Sequence, residues 1–449
     1  MGVPVGMKKR ILSFVSLGAI ALSAGSAASA QTTSLVAPPA VSPPAATAQP
    51  PAIAADVSAA YDTFHIQPIW FRGGADSPAP AQLVAILQRA PFDGLAEGPE
   101  LAAQVQATVA QVRADPQASA NAEKILSTAW VRYVQALKRP TTGMIYAYAT
   151  LKPQGAADEI LLTAAAAPSL SSYLAAASDL NPIYRQLRDA AWADAQASSN
   201  FTPDPRLLAN LDRARSIPAK GRFVLVDSGN QKLTMFENGQ PVDSMKIIVG
   251  TDELPTPLIS SVLYYVAYNP YWHAPDHLVR KTIAPTFLKK GMPYLKSHGY
   301  HVIDEWSSTA KEIDPKTVDW KGAAAGTTHL LVRQDPGPLN SMGSLKFPFA
   351  NPEGIYMHDT PGKDLFAKNV RNLSNGCVRL EDARRFGRWL LGHEPQAPGR
   401  DPETQVQLPQ AVPIIVTYLT AEVRDGKLTY LDDFYGWDKP GAKVMASTN

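Results

Sequence analysis

The spacing of apolar residues divides the chain into two textures. From about Asp56 to Arg215, Ala-rich stretches carry apolar side chains three and four positions apart, as in Leu83–Arg89, Ala122–Leu137 and Pro182–Ala197. That is the helical repeat, and the Pro, Gly and Asp clusters between the stretches read as loops. At Gly221 the texture changes to runs of β-formers. Phe223–Asp227 predicts a strand, Ser228-Gly229-Asn230 a turn, and Lys232–Glu237 a second strand. Asn238-Gly239 is a hairpin signal ahead of a strand over Met245–Val249. Further strands are expected at Val262–Tyr268, His329–Arg333, Gly354–His358 and Val412–Tyr418, with a helix over Glu381–Leu391. Residues 276–326 show little regular patterning and read as an insertion, or cap, over the sheet. The expected fold class is α+β multidomain, a mostly antiparallel β domain preceded by an α-helical domain.

The N-terminal end follows a different pattern. Lys8, Lys9 and Arg10 precede the apolar run Ile11–Ala24, and small residues lead to Ala28-Ser29-Ala30. A basic start, a short apolar run and an A-x-A site predict a signal peptide over residues 1–30, cut after Ala30. The run is too short for a comfortable membrane span. Residues 31–54 are rich in Pro and Ala and read as an extended linker. The expected order is then a helical scaffold domain over 55–215, a β domain over 216–397, and a C-terminal extension over 398–449 that completes it. A periplasmic, exported protein with no membrane span in its mature form is expected.

Composition adds three constraints. A length of 449 residues implies two or three domains, and 39 prolines is roughly twice the usual share. A formal charge of +2 argues against a nucleic-acid binder, which would carry a strongly basic domain. There is one cysteine, Cys377, so no intrachain disulfide can form. In an oxidising compartment a lone thiol is either a small buried hydrophobe or a reactive group.

Its surroundings favour reactivity. Ile355-Tyr356-Met357-His358-Asp359-Thr360-Pro361 is followed by Ser374-Asn375-Gly376-Cys377-Val378-Arg379-Leu380. Cys377 sits between a glycine and a polar turn rather than inside an apolar run. A cysteine attacks as thiolate and needs a base or positive charge nearby. His358 is the candidate base and, later, acid. Gly376 allows close backbone approach and leaves N–H groups to face a developing oxyanion. Arg371 and Arg379 add positive charge suited to a thiolate or a substrate carboxylate.

These residues, with Cys377 nineteen positions after His358, resemble the L,D-transpeptidase catalytic domain of the YkuD type. Colinear matches point to its long, YcbB-like branch. They are Arg206-Leu-Leu-Ala-Asn-Leu-Asp-Arg-Ala-Arg, Val249-Gly250 with Pro255-Thr256-Pro257, and Asn269-Pro270-Tyr271-Trp272. Pro336-Gly337-Pro338-Leu339-Asn340 with Lys346-Phe347 completes the set. The resemblance covers about residues 205–435, and Tyr61–Trp70 is similar to the branch's scaffold. It implies a YkuD-type sandwich and a cell-wall transferase that cross-links peptidoglycan stem peptides through a Cys377 acyl-enzyme, releasing D-alanine. His358 would be the base, oriented by the Asp359 carbonyl, with Gly376, Asn375 and Ser374 supporting the oxyanion. Arg379, Arg371, Tyr356 and Trp272 would meet substrate. The family also implies acylation by carbapenems. Two departures stand out. The family's usual histidine two residues before the cysteine is Asn375 here, and no peptidoglycan-binding helical module is read between Gly143 and Pro205.

No cofactor and no metal are expected. His273 and His277 are separated by Ala274-Pro275, which disfavours a helical ligand pair, and His298 and His301 lack a ligand pattern. The partners expected are a donor tetrapeptide stem and an amine acceptor, with no nucleic acid. A carboxypeptidase or amidase of the same fold, and a non-catalytic wall-binding protein, remain the alternatives.

Overall fold

In the computed structural model, residues 52–442 and Val444 are described, apart from Ala75 and Ser308. The expected signal peptide and nearly all of the linker lie outside the described residues. The N-terminal part is built from helices α1 (Ala55–Phe64), α2 (Pro78–Arg89), α3 (Gly98–Ala114), α4 (Ser119–Leu137), α5 (Ala157–Ala166), α6 (Leu170–Ala177), α7 (Pro182–Ser198) and α8 (Pro205–Ala214). Proline occupies the first turn of α2, α3, α7 and α8, where its missing N–H removes no helical bond. Asn181 and Asp204 cap α7 and α8 through their side chains. Helix α4 runs through the core, with Leu126, Trp130 and Tyr133 fully buried. Its Glu123 carboxylate is buried too, and it accepts the backbone N–H groups of Ile69, Trp70 and Phe71 at 2.9–3.1 Å. Those bonds tie the loop after α1 to the core, because a buried carboxylate without donors would be costly.

The strands are β1 (Ile145–Tyr146), β2 (Phe223–Asp227), β3 (Lys232–Glu237), β4 (Gln240–Gly250), β5 (Ile259–Tyr268), β6 (Trp272–Ala274), β7 (Tyr300–Ile303), β8 (Glu312–Ile313), β9 (Leu331–Gln334), β10 (Leu345–Pro348), β11 (Tyr356–His358), β12 (Asn372–Ser374), β13 (Val378–Leu380), β14 (Thr404–Thr417), β15 (Ala421–Arg424) and β16 (Lys427–Tyr430). Asn238 and Gly239 both have positive φ, 52° and 75°, as the turn between β3 and β4 requires. The main sheet runs β1-β5-β10-β11-β13-β4-β3-β2-β14, with β12 beside β4. Most neighbours are antiparallel, but β1–β5, β4–β12, β11–β13 and β2–β14 are parallel. Long β14 pairs with both β2 and β5, so the sheet closes on itself. Val224, Leu233, Ile247, Leu263, Phe347, Met357 and Val378 fill the space between its faces. The helix Ala383–Leu391 covers one side, its Phe386 ring meeting Phe347 edge-on at 4.8 Å.

Two features were not visible in the residue pattern. Strand β1 belongs to the stretch read as helical scaffold, yet it adds to the edge of the β domain. Two residues carry no periodicity. The insertion is also longer and more ordered than residues 276–326. Strands β6-β9-β7-β8 form a sheet of their own over a core of Val279, Ile283, Leu295, Val302, Trp320 and Val332. The segment expected as a strand near His329–Arg333 belongs to this cap. Its helices, such as Ala284–Lys290 and Met292–His298, are too short to show a repeat.

Candidate active site

Strand β11 is central to the site. Lys346 on antiparallel β10 lies opposite His358, and on the other side parallel β13 places Arg379 opposite the same histidine. Side chains alternate along a strand, so Met357 and Val378 enter the core while Tyr356 and His358 face outward with Arg379 and Lys346. Cys377, just before β13, shares the face of Arg379. These five residues line one cleft of about 230 Å³ with Trp272, His273, Ser374 and Asn375. A larger cavity, about 540 Å³, lies between α7, the β2–β3 strands and β15, and holds neither Cys377 nor His358.

A tight turn presents the cysteine. Ser374 Oγ donates to the Cys377 carbonyl at 2.6 Å and accepts the Gly376 N–H at 3.2 Å. Gly376 has φ +106°, a backbone conformation that favours glycine, and a Cβ there would press on Ile355 Cδ1 at 3.0 Å. The Gly376 N–H was expected to face substrate; in this structure Ser374 Oγ takes it. Among the described residues the Cys377 N–H has no such partner. The Gly376 carbonyl accepts the Thr256 hydroxyl at 2.7 Å, and the Thr256 Oγ1 accepts the Gly250 N–H at 2.9 Å. Tyr435 completes the support, its phenol donating to the Gly250 carbonyl at 2.8 Å and accepting the Thr256 N–H at 3.1 Å.

His358 is 5% exposed, and its Nδ1 lies 2.5 Å from the Asp359 carbonyl. A carbonyl only accepts, so Nδ1 carries the proton and Nε2 has its lone pair free. Burial, with Arg379 and Lys346 nearby, lowers the imidazole pKa to about 4, against the opposing pull of Asp359. Burial likewise pushes the Cys377 thiol above its ordinary value, opposed by the Tyr356 N–H, Lys346 and Arg379. The resting pair is therefore a neutral thiol and a neutral imidazole. The positive charge expected to favour thiolate is present, but burial outweighs it. The Asp359 carboxylate turns elsewhere, to Lys363 Nζ at 2.8 Å and to the Ser344 N–H at 3.0 Å. Burial works against its charge, yet these donors hold it below the usual carboxylate range.

Arg371 needs correcting. It does not line the cleft, and its guanidinium donates to the backbone carbonyls of Ile247, Lys368, Asn369 and Gln231 at 2.9–3.2 Å. With those donors occupied it braces the strand before the cysteine instead of meeting substrate. Tyr356, Trp272, Asn375 and Arg379 do lie in the cleft. Burial pushes the Tyr356 phenol up to about 12, so it stays protonated. Three contributors were given no site role from the sequence: Lys346 and Thr256, which stood only within the colinear motifs, and Tyr435. Lys346 was legible in principle, as the polar position between core residues Leu345 and Phe347. The role of Tyr435 rests on a contact 185 residues away in sequence, which no local pattern carries. No group of three or more His, Cys, Asp or Glu that could hold a metal occurs among the described residues, and none of their helices is long and apolar enough to cross a membrane.

The Cys377 thiol and the His358 imidazole, whose Nε2 lone pair is free, thus line one cleft on the face of a closed sheet. Residues 221–414 match the YkuD family, described as the L,D-transpeptidase catalytic domain, and residues 55–190 match a scaffold domain. The chain thus carries an L,D-transpeptidase catalytic domain behind a helical scaffold. A Haemophilus influenzae protein provisionally assigned as an L,D-transpeptidase is 27% identical over 320 residues, spanning 69% of this chain and 64% of that relative, less than two thirds of its length. Two solved structures are more distant. An L,D-transpeptidase from Mycobacterium smegmatis is 14% identical with a TM-score of 0.22, covering 44% of this chain and 60% of its own. The Ldtfm–avibactam carbamoyl enzyme is 13% identical with a TM-score of 0.22, covering 45% and 50%.

Proposed function

We propose that this protein is a peptidoglycan L,D-transpeptidase of the long, YcbB-like branch, acting outside the cytoplasm through a Cys377 acyl-enzyme. The observation that carries this reading is the shared face of Cys377 and His358, with the Nδ1 proton engaged by the Asp359 carbonyl. His358 Nε2 accepts the thiol proton as Sγ attacks the carbonyl carbon of the L-to-D bond in a donor tetrapeptide stem. The Cys377 N–H is the donor left to meet the resulting oxyanion. The C–N bond then breaks, His358 returns the proton to the departing D-alanine nitrogen, and a thioester remains. An acceptor amine attacks that thioester, His358 takes its proton, and the C–S bond breaks to restore the thiol. Asn375 has no titratable proton to contribute, so one histidine serves both half-reactions. Generating the thiolate only when substrate arrives suits a lone thiol in an oxidising compartment, since oxidation follows thiolate character.

Incubating the protein with muropeptides tests this reading. Cross-linked dimers are expected with wild type and absent with Cys377→Ala. Shortened monomers alone would assign a carboxypeptidase, and no product from either protein would sink both enzymatic readings. A carbapenem mass adduct on the wild type, absent from Cys377→Ala, is the supporting observation.

A further inference from the structure

His358 stands between two cations. Lys346 flanks it from β10 and Arg379 from β13, each in direct register. Opposed residues on paired strands are about 5 Å apart, so three nitrogen-bearing side chains form a row across the floor of the cleft. Lys346 Nζ is held in place over the Tyr356 ring, 4.5 Å from its centre. Arg379 is half-buried. No aspartate or glutamate lines the cleft. Among the described residues, neither cation enters an ion pair. Glu403, whose charge reaches Tyr356, is turned to the Tyr271 N–H at 3.0 Å. Two cations facing a cleft with no acidic side chain call for a bound anion.

We infer that Lys346, together with Arg379, holds the terminal carboxylate of the departing D-alanine, so that the two cations position the scissile bond against His358. The inference rests on the transpeptidase reading above. Its geometry follows from the reaction: His358 gives its proton to the nitrogen of the leaving residue. The carboxylate of that residue is attached through the same α-carbon, so a group bonded to His358 brings its carboxylate beside the flanking cations. Bidentate capture by the guanidinium, supplemented by the ammonium, would orient the scissile bond as well as select for it. An amide in place of the carboxylate loses the charge and leaves the cations unmatched.

The test compares matched tetrapeptide donors ending in D-alanine or in D-alaninamide, with kcat and KM measured for the purified protein. Wild type is expected to favour the acid by about ten- to hundredfold in kcat/KM, the range for a hydrogen-bonded charge. Lys346→Met should collapse that preference by about tenfold, chiefly through KM for the acid, while Lys346→Arg retains most of it. A structural defect would depress both donors alike and leave their ratio intact. Equal turnover of acid and amide by wild type, or an unchanged ratio in folded Lys346→Met, overturns the inference alone. Release from neither donor overturns the transpeptidase reading and the inference together.

Discussion

Arg213 of α8 is buried, while Arg206 and the cleft cations Lys346 and Arg379 are half-buried, and their surroundings differ. Arg206 and Arg213 converge on the Asp438 carboxylate at 2.7 and 2.9 Å. Arg213 also donates to the carbonyls of Tyr418 and Trp437, each at 2.7 Å, and Thr420 donates to Asp438 at 2.6 Å. Asn210 fills the space between them, accepting the N–H groups of Thr420 and Ala421 at 2.7 and 3.0 Å. Positions 206, 210 and 213 fall on one helical face, so a single helix carries this polar cluster between the scaffold and the C-terminal extension. Lys346 and Arg379 have no such set of partners. A saturated polar cluster holds a structure together, whereas an unsaturated one at a cleft keeps its valences for a ligand.

Removing chemistry without removing partners gives the largest effect. Cys377→Ala is expected to abolish product formation while leaving the thermal midpoint near wild type, because the thiol's polar contacts among the described residues are weak ones, a 3.9 Å approach to the Gly354 carbonyl and the Tyr356 N–H. A large loss of stability in this variant would place Cys377 with the structural cluster.

His358→Gln comes next, with turnover expected to fall about 10²- to 10⁴-fold. The same variant tests the buried neutral imidazole. Its folded pKa, about 4, lies below the ordinary 6.5, so its contribution to stability is whole above 6.5 and is lost as pH falls toward 4. Wild type should therefore lose more stability than His358→Gln across that window, read from denaturant midpoints at each pH. Activity should persist in mild acid and fail toward pH 4. Parallel stability curves would mean that the ring is solvated.

At the α8 junction the expected loss is in stability instead of catalysis. Asp438→Ala leaves Arg213 buried beside carbonyls alone, and breaking a buried ion pair from one side costs about 3–5 kcal/mol. Chemical denaturation measures the loss, and turnover per folded molecule should change far less than in His358→Gln.

The contrast also explains what could be read in the sequence. Helices α2, α4 and α7 and strands β2 to β5 announce themselves, because a long element repeats its burial pattern several times. Cys377 and His358 stood out because chemistry restricts residue type, and Arg206 to Arg215 because a colinear resemblance marked it. Arg371 misled for the same reason: its charge resembled that of Arg379, and only the fold distinguishes a guanidinium spent on carbonyls from one facing a cleft. The cap was read as an insertion, but the elements inside it and strand β1 stayed hidden because they are too short for a period to accumulate. The pairing of the Cys377 turn with Thr256 and Tyr435 is a long-range contact with no local signature.

That last contact gives the smallest expected effect. Tyr435 stacks on Tyr418 at 4.8 Å, so Phe at this position keeps its packing and loses only the hydroxyl. The Gly250 carbonyl and the Thr256 N–H then lack their shared partner, a loss of about 1–3 kcal/mol if water does not replace it. Thr256 also donates to the Gly376 carbonyl, one residue before Cys377, so looseness at Thr256 reaches the thiol through a single hydrogen bond. Tyr435→Phe should lower kcat severalfold with KM nearly unchanged, and Thr256→Val should reproduce that signature more strongly. If Tyr435→Phe loses stability but keeps wild-type kcat per folded molecule, the phenol belongs with the saturated junction beside it. A kcat effect in both variants would instead make the C-terminal extension part of what aims the cysteine, although none of its residues lines the cleft.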